Sequence, residues 1–291
     1  MSTNTAPFVI QPKLTQIAMA IKPRNFIADM VLPRVPVEAE KFIYTKFTTE
    51  EMFTIPETRV GRKSEPNQVE FGGTDVTDST EDYGLDDFVP NKDVVNGQVT
   101  NYDPLAIAAE NTAMLVEMSR EKRVADLIFT LGTYAASLRT TLSGTSQWSD
   151  YTNSNPVDAI MAAKDLMLVD ANVIVIGRQA WTKFRQHPKV VSMVLNRSGN
   201  NGGLTASGFV SRQAVADLLE VDEVLVGDAF TNASKPGQTA SYARLWGKHC
   251  AMLQINRSVR NTRAALPTFG MTAQWGERIA ATIPDARRGL M

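Results

Sequence analysis

The chain has 291 residues, of which 43% are hydrophobic, enough for a substantial core and about two domains. Its formal net charge of −1 excludes bulk electrostatic attraction to nucleic acid or to an anionic membrane as an organising feature. Cys250 is the only cysteine, which excludes an internal disulfide and any cysteine-based metal cluster.

Met1 to Ile21 has no basic start followed by a 7–15-residue apolar run, so no secretory leader is expected. No apolar run approaches the ~20 residues that span a bilayer. Met1 to about Pro36 reads as an arm. Pro7, Pro12, Pro23, Pro33 and Pro36 disfavour long helices and central strands, and leave room for a short amphipathic piece at Leu14 to Ile21. Phe8, Val9, Ile10, Phe26, Ile27, Met30, Val31 and Leu32 make the arm too apolar for a disordered tail. They need cover from this subunit's core or from a neighbour.

Lys41 to Pro90 changes character. Phe42, Tyr44 and Lys46 alternate with Ile43, Thr45 and Phe47 in a strand-like composition, and Met52, Phe53 and Ile55 follow. Gln68 to Phe71 reads as a return strand. Between them Glu57 to Pro66, with Arg59, Gly61, Arg62 and Lys63, is an exposed turn. The expectation is a long hairpin with a basic tip and an acidic return leg. Asp75, Asp78, Glu81, Asp82, Asp86, Asp87 and Asp93 supply the acid. An isolated two-stranded ribbon is marginal in water, so it lies either on its own domain or on another subunit.

Asp103 to Leu131 reads as one long helix. Asp103 caps it, and Pro104 suits its first position. Ile107, Asn111, Met114, Met118 and Glu121 fall on one line, followed by Val124, Leu127, Ile128 and Leu131. Glu117–Arg120 and Lys122–Asp126 are spaced to pair on an exposed side, and Gly132 is a stop signal. Such an element is about 42 Å long; it is either a strut across an extended molecule or a helix laid on a sheet.

A polar loop from Thr140 to Asn155 holds Trp148 and Tyr151. Asn155 then caps a helix from Pro156 to about Val169. Val173 to Gly177 and Val224 to Gly227 are short apolar runs, typical of buried strands. Helices are expected near Arg178 to Gln186, ending before Pro188, and, capped by Ser211, through Leu219. Asn196 to Gly203 is a loop, Ala233 to Gln238 a turn, Tyr242 to Ile255 one or two strands, and Thr268 to Trp275 a further strand. The alternation from Asn155 to about Ile255 indicates an α/β domain. Arg257, Arg260, Arg263, Arg278, Arg287 and Arg288 make the C-terminal part basic.

Nothing in the chain assembles an active site. The two histidines, His187 and His249, read as structural. His187 sits at a helix end where a cation suits the dipole, and His249 faces away from its neighbour Cys250 on a strand. Asp82 to Asp87 lacks the alternate-acid spacing of a calcium loop. The phosphate-cradling Gly-Lys-Ser/Thr loop and the Gly-x-Ser-x-Gly nucleophile elbow are absent. Expected cofactors and metals: none.

Taken together, several stretches resemble the major capsid proteins of tailed bacteriophages with the Hong Kong 97-type fold. Arg24 to Asp29 through Leu32 to Val37 looks like that family's N-arm entry. Arg59 to Asn67 with Glu81 to Asp86 looks like its extended loop. Thr141 to Asp150 and Leu245 to His249 look like further shared segments. The resemblance implies an α+β capsid fold: an N-terminal arm at 1–40, an extended β-hairpin loop at 41–95, a peripheral domain at 96–154 and 264–291 with a spine helix at 103–131, and an axial α/β domain at 155–263. It further implies a virion protein, assembled in the host cytoplasm. That protein would self-associate as pentamers and hexamers into an icosahedral head around double-stranded DNA. Portal protein, with scaffolding or decoration proteins, would be its partners; no membrane and no enzymatic activity are implied. Candidate inter-subunit contacts are Phe8, Phe26, Phe42, Phe53, Arg59, Arg62, Lys63, Asp82 and Asp86. A cellular compartment shell shares the fold, and an α/β enzyme is a reading of another class.

Overall fold

The structure is a computed structural model; it describes residues 10–21, 23, 25–47, 53–62, 64–68, 73–100, 102–197, 208–235, 237–263 and 267–284. The arm holds two short helices, α1 (Pro12–Ala20) and α2 (Ala28–Val31), and strand β1 (Arg34–Val37). The ribbon follows as β2 (Lys41–Phe47) and β3 (Gly73–Ser79), antiparallel with Lys41 opposite Ser79 and Phe47 opposite Gly73. Among the described residues the return strand is Gly73–Ser79; Val69 to Phe71, expected to form it, lie outside the described residues. Helix α3 (Asn91–Thr100), which no periodicity announced, leads into the long helix α4 (Pro104–Phe129).

At its start α4 follows its local chemistry. The Asp103 side chain accepts from the Ala106 amide at 3.2 Å, with Pro104 in the first turn. Its end differs from the expectation. Gly132 is not the stop; the backbone becomes extended at Thr130 (φ −74°, ψ 125°), and the Thr130 hydroxyl donates back to the Asp126 carbonyl. The 26-residue helix is about 39 Å long.

The α/β part comprises α5 (Pro156–Lys164), β4 (Val173–Gly177), α6 (Arg178–Arg185), α7 (Pro188–Arg197), α8 (Arg212–Leu219), β5 (Glu223–Gly227), β6 (Phe230–Asn232), β7 (Tyr242–Arg244) and β8 (Cys250–Leu253); β9 (Thr272–Trp275) comes last. Helix α5 stops at Lys164, short of Val169. Its Asn155 side chain caps no amide and instead donates to the Asp158 carboxylate. Ser211 caps α8 as expected, accepting from Ala214 N at 3.2 Å. Helix α7 starts at Pro188, because the residue that ends one helix is equally suited to open the next.

Among the described residues β5, β4 and β8 form one sheet, β4 parallel to β5 and antiparallel to β8. Alternation along the strands splits the core into two layers. Ile174, Ile176, Val224 and Val226 pack with Trp181, Phe184, Val190, Val215 and Leu219 of the helices on one face. Val173, Val175, Leu225 and Leu253 pack on the other face with Val124, Ala125 and Ile128 of α4 and with Ile27, Val31 and Leu32 of the arm. The long helix thus lies across the sheet and takes the arm with it. Strand β1 pairs in parallel with β9, Arg34 opposite Thr272, and Ile10 bridges Ala281.

One close approach holds the layers together. A Cβ on Gly227 would stand 2.0 Å from the Trp246 ring, and one on Gly177 would stand 2.2 Å from the Gly247 carbonyl. Two strand-end glycines therefore admit a turn that seats a fully buried indole.

Candidate functional site

The polar groups that chemistry would require are already committed. Lys189 N–H donates to His187 Nδ1 at 3.3 Å, so the ring proton sits on Nε2 and is donated to Ser154 Oγ at 3.0 Å. The Ser154 hydroxyl in turn donates to the Asp150 carbonyl at 2.6 Å. Burial, then the Lys189 charge, holds the His187 pKa below its ordinary value. The ring is therefore a neutral spacer rather than the dipole-facing cation expected, and its serine is no nucleophile. Burial pushes the Cys250 thiol up to about 12, so no thiolate is present near neutral pH. Among the described residues no group of three or more His, Cys, Asp or Glu could hold a metal ion, and no helix is long and apolar enough to cross a membrane.

A buried carboxylate joins the parts instead. Glu121, fully buried on α4, accepts from Ile27 N at 2.9 Å, Ala28 N at 2.8 Å and Trp246 Nε1 at 2.7 Å. Burial raises its pKa, and these donors pull against the rise. The side chain caps α2 of the arm from outside, as an acid suits a helix start.

Beside it lies a charged knot. Arg34 donates to both oxygens of Glu117 at 3.0 and 3.1 Å, and Arg278 reaches the same carboxylate at 2.5 Å. Arg120 pairs with Asp29 and donates to the Leu32 carbonyl and Thr272 hydroxyl. Burial works to raise the Asp29 carboxyl, but Arg34, Arg120 and Arg278 outweigh it and hold it below its usual value. Glu117 and Arg120 are thus buried, not an exposed pair: β1 and β9 cover that face and bring their own charges. The Lys122–Asp126 pair does form on the exposed side.

The ribbon is mostly exposed. Phe53 is 50% and Ile55 91% accessible. Its tip is closed locally, Ser64 N donating to the Gly61 carbonyl and Asn67 Nδ2 to the Glu57 carbonyl. At its base Thr262 donates to the Ile43 carbonyl at 2.8 Å, and Arg263 lies 3.5 Å from Asp75. After β3 an acidic strap, residues 81–88, runs past α4. The Arg123 guanidinium stacks 3.3 Å over the Tyr83 ring, and Tyr83 donates to Glu81 at 2.6 Å. Asp82, Leu85, Asp86, Asp87 and Phe88 stay exposed.

Under the ribbon a groove of about 2220 Å³ runs between β2, the end of α4 and the α/β part. That is beyond the ~300–1,000 Å³ of small-molecule sites.

The expected contact residues fall in three settings. Phe26 is half-buried against the sheet core. Phe42, half-buried, and Phe53 line the groove. Arg59, Arg62, Asp82 and Asp86 are exposed. Phe8 and Lys63 lie outside the described residues. Sequence reading missed Glu121 and Trp246 as partners, although an acid within an otherwise apolar helical line was the available signal.

Residues 133–224 match the family described as phage major capsid protein E. A major capsid protein of Pseudomonas phage JBD67 is 45% identical over 287 residues, 99% of this chain and 90% of the relative. A major capsid protein of Burkholderia phage BcepMu is 25% identical over 278 residues, 91% of this chain and 83% of the relative. The crystal structure of a phage-related protein from Bordetella bronchiseptica RB50 superposes with a TM-score of 0.73 at 19% identity, covering 98% of this chain and 90% of that one.

Proposed function

Because the chain belongs to the phage major capsid proteins, we propose that its coat is an icosahedral head of pentamers and hexamers with the Hong Kong 97-type fold. The coat role is structural rather than catalytic, and its place is the virion. In this reading the arm is 1–40, the extended loop 41–95, the peripheral domain 96–154 and 264–291, and the axial domain 155–263. Portal and scaffolding or decoration proteins join it in the host cytoplasm, and double-stranded DNA fills the inner face.

The observation that carries the reading is the near-full-length likeness to phage coat proteins in a chain whose ribbon and strap keep apolar groups uncovered. Phe8, Phe26, Phe42 and Phe53 are the apolar contacts with neighbouring subunits, at roughly 25 cal/mol per Å² buried. Arg59, Arg62 and Lys63 at the tip, and Asp82 and Asp86 on the strap, are the charged ones, at ~0–1 kcal/mol per exposed pair. Apolar burial therefore sets affinity and charge sets register. Weak contacts repeated over a shell let a misplaced subunit leave.

Negative-stain microscopy of the sized, purified protein tests this. Closed shells tens of nanometres across, or rings of five and six, are expected. A monomer or dimer that persists at raised concentration with scaffold present overturns it.

A further inference from the structure

We propose that the groove beneath the ribbon seats the acidic strap, residues 81–88, of a second copy of this chain. The inference rests on the coat reading and names the surface on which two subunits meet.

Charge makes the first argument. Arg139, Lys183 and Lys248 line the groove and make no ion pair among the described residues, while Arg178 and Arg244 share Asp228. The described lining residues include one acid, Asp78. The strap has the opposite balance, with Glu81, Asp82, Asp86 and Asp87 in eight positions.

Apolar surface makes the second. The exposed side chains of Leu131, Leu138, Leu166 and Leu168 line the groove, and the strap offers Leu85 and Phe88, the latter 69% accessible. Neither set is covered within the subunit.

The strap's own chain does not fill this seat. Asp78 stands at the groove, but four residues beyond β3 the chain lies against α4, where Arg123 holds Tyr83. That stack fixes one side of the strap in cis and leaves Asp82, Leu85, Asp86 and Phe88 for a neighbour. The groove's volume is of polymer rather than small-molecule size.

The test is a charge swap read by sedimentation and microscopy on the full-length protein. Lys183→Glu with Lys248→Glu reverses the groove, and Asp82→Lys with Asp86→Lys reverses the strap; all four residues are surface groups, and a thermal melt checks folding. Each reversed protein should need about tenfold more protein to form shells at low salt, and the four-fold variant should return to within about threefold of wild type. A second readout places Lys183→Cys and Asp86→Cys in one chain in which Cys250, also on the groove lining, is replaced by Cys250→Ser. Oxidation should give a ladder of linked chains on a denaturing gel, and neither single variant should. Shells that form equally well from the reversed variants, or a four-fold variant no better than its parents, overturn the docking and leave the coat reading standing. A linked product confined to single chains also overturns it, since the strap would then close on its own groove. Wild-type protein that stays monomeric overturns the coat reading and the docking together.

Discussion

The Trp246 indole donates to the Glu121 carboxylate at 2.7 Å, across 125 positions of sequence, while its Cγ and Cδ1 crowd Gly227 and the ring stands T-shaped to Phe129, centroids 5.8 Å apart. Trp246→Phe keeps most of the ring packing and removes the donor. Leaving a buried acceptor without its donor costs about 1–3 kcal/mol. Glu121→Gln should cost at least as much, because one acceptor oxygen becomes an NH₂ facing an N–H. Urea midpoints of the unassembled protein measure both, and the double variant should lose less than the sum of the two.

Gly227→Ala drives a methyl into the indole. A Cβ at 2.0 Å from Cγ cannot be relieved by rotating a flexible chain, so about 3 kcal/mol or more should be lost. Gly132→Ala is the contrast. It has negative φ and nothing nearer than Thr130 Cγ2 at 3.9 Å, and should be neutral or stabilising by about 0.4–1 kcal/mol. Thermal melts of the two variants separate crowding from backbone freedom.

His187 makes stability depend on pH with a definite sign. Its pKa is lowered in the folded chain, so the unfolded chain binds the extra proton first. The stabilisation is present above the ordinary histidine value near 6.5 and is lost as pH falls through the lower folded value. As pH falls below about 6.5, wild type should lose stability more steeply than His187→Gln. Equal slopes would remove the argument.

Arg123→Ala should loosen the strap while leaving the fold intact. An exposed cation–π stack is worth about 0.5–1 kcal/mol, too little to change a global melt decisively. Amide exchange across residues 81–88 should nevertheless rise several-fold, with that of α4 unchanged.

What the sequence revealed was local. Asp103 followed by Pro104 marks a helix start, and Val173 to Gly177 marks a buried strand, because in each case the determining atoms are neighbours in the chain. The Glu117–Arg120 spacing was ambiguous for the opposite reason. Two charges three positions apart look the same whether water or another strand covers them, and here the cover includes Arg34 and Gln274, 240 positions apart. Pro188 read as an ending because a proline's effect depends on which side the helix lies. In the contact surfaces, the exposure of Arg59, Arg62, Asp82 and Asp86 followed from their chemistry. The Arg123–Tyr83 stack did not, since nothing in either residue names the other.

The pairing of β1 with β9 bears on when a subunit becomes competent. Arg34 to Val37 leave the ribosome early, yet their partner strand is Thr272–Trp275. The segment beside α1 that accepts Gln11 N at the Ala280 carbonyl emerges later still. A nascent chain therefore carries an unpaired arm until translation has passed residue 280. Synthesis itself thereby acts as a checkpoint, withholding the finished arm from a growing lattice until the polypeptide that anchors it has been made.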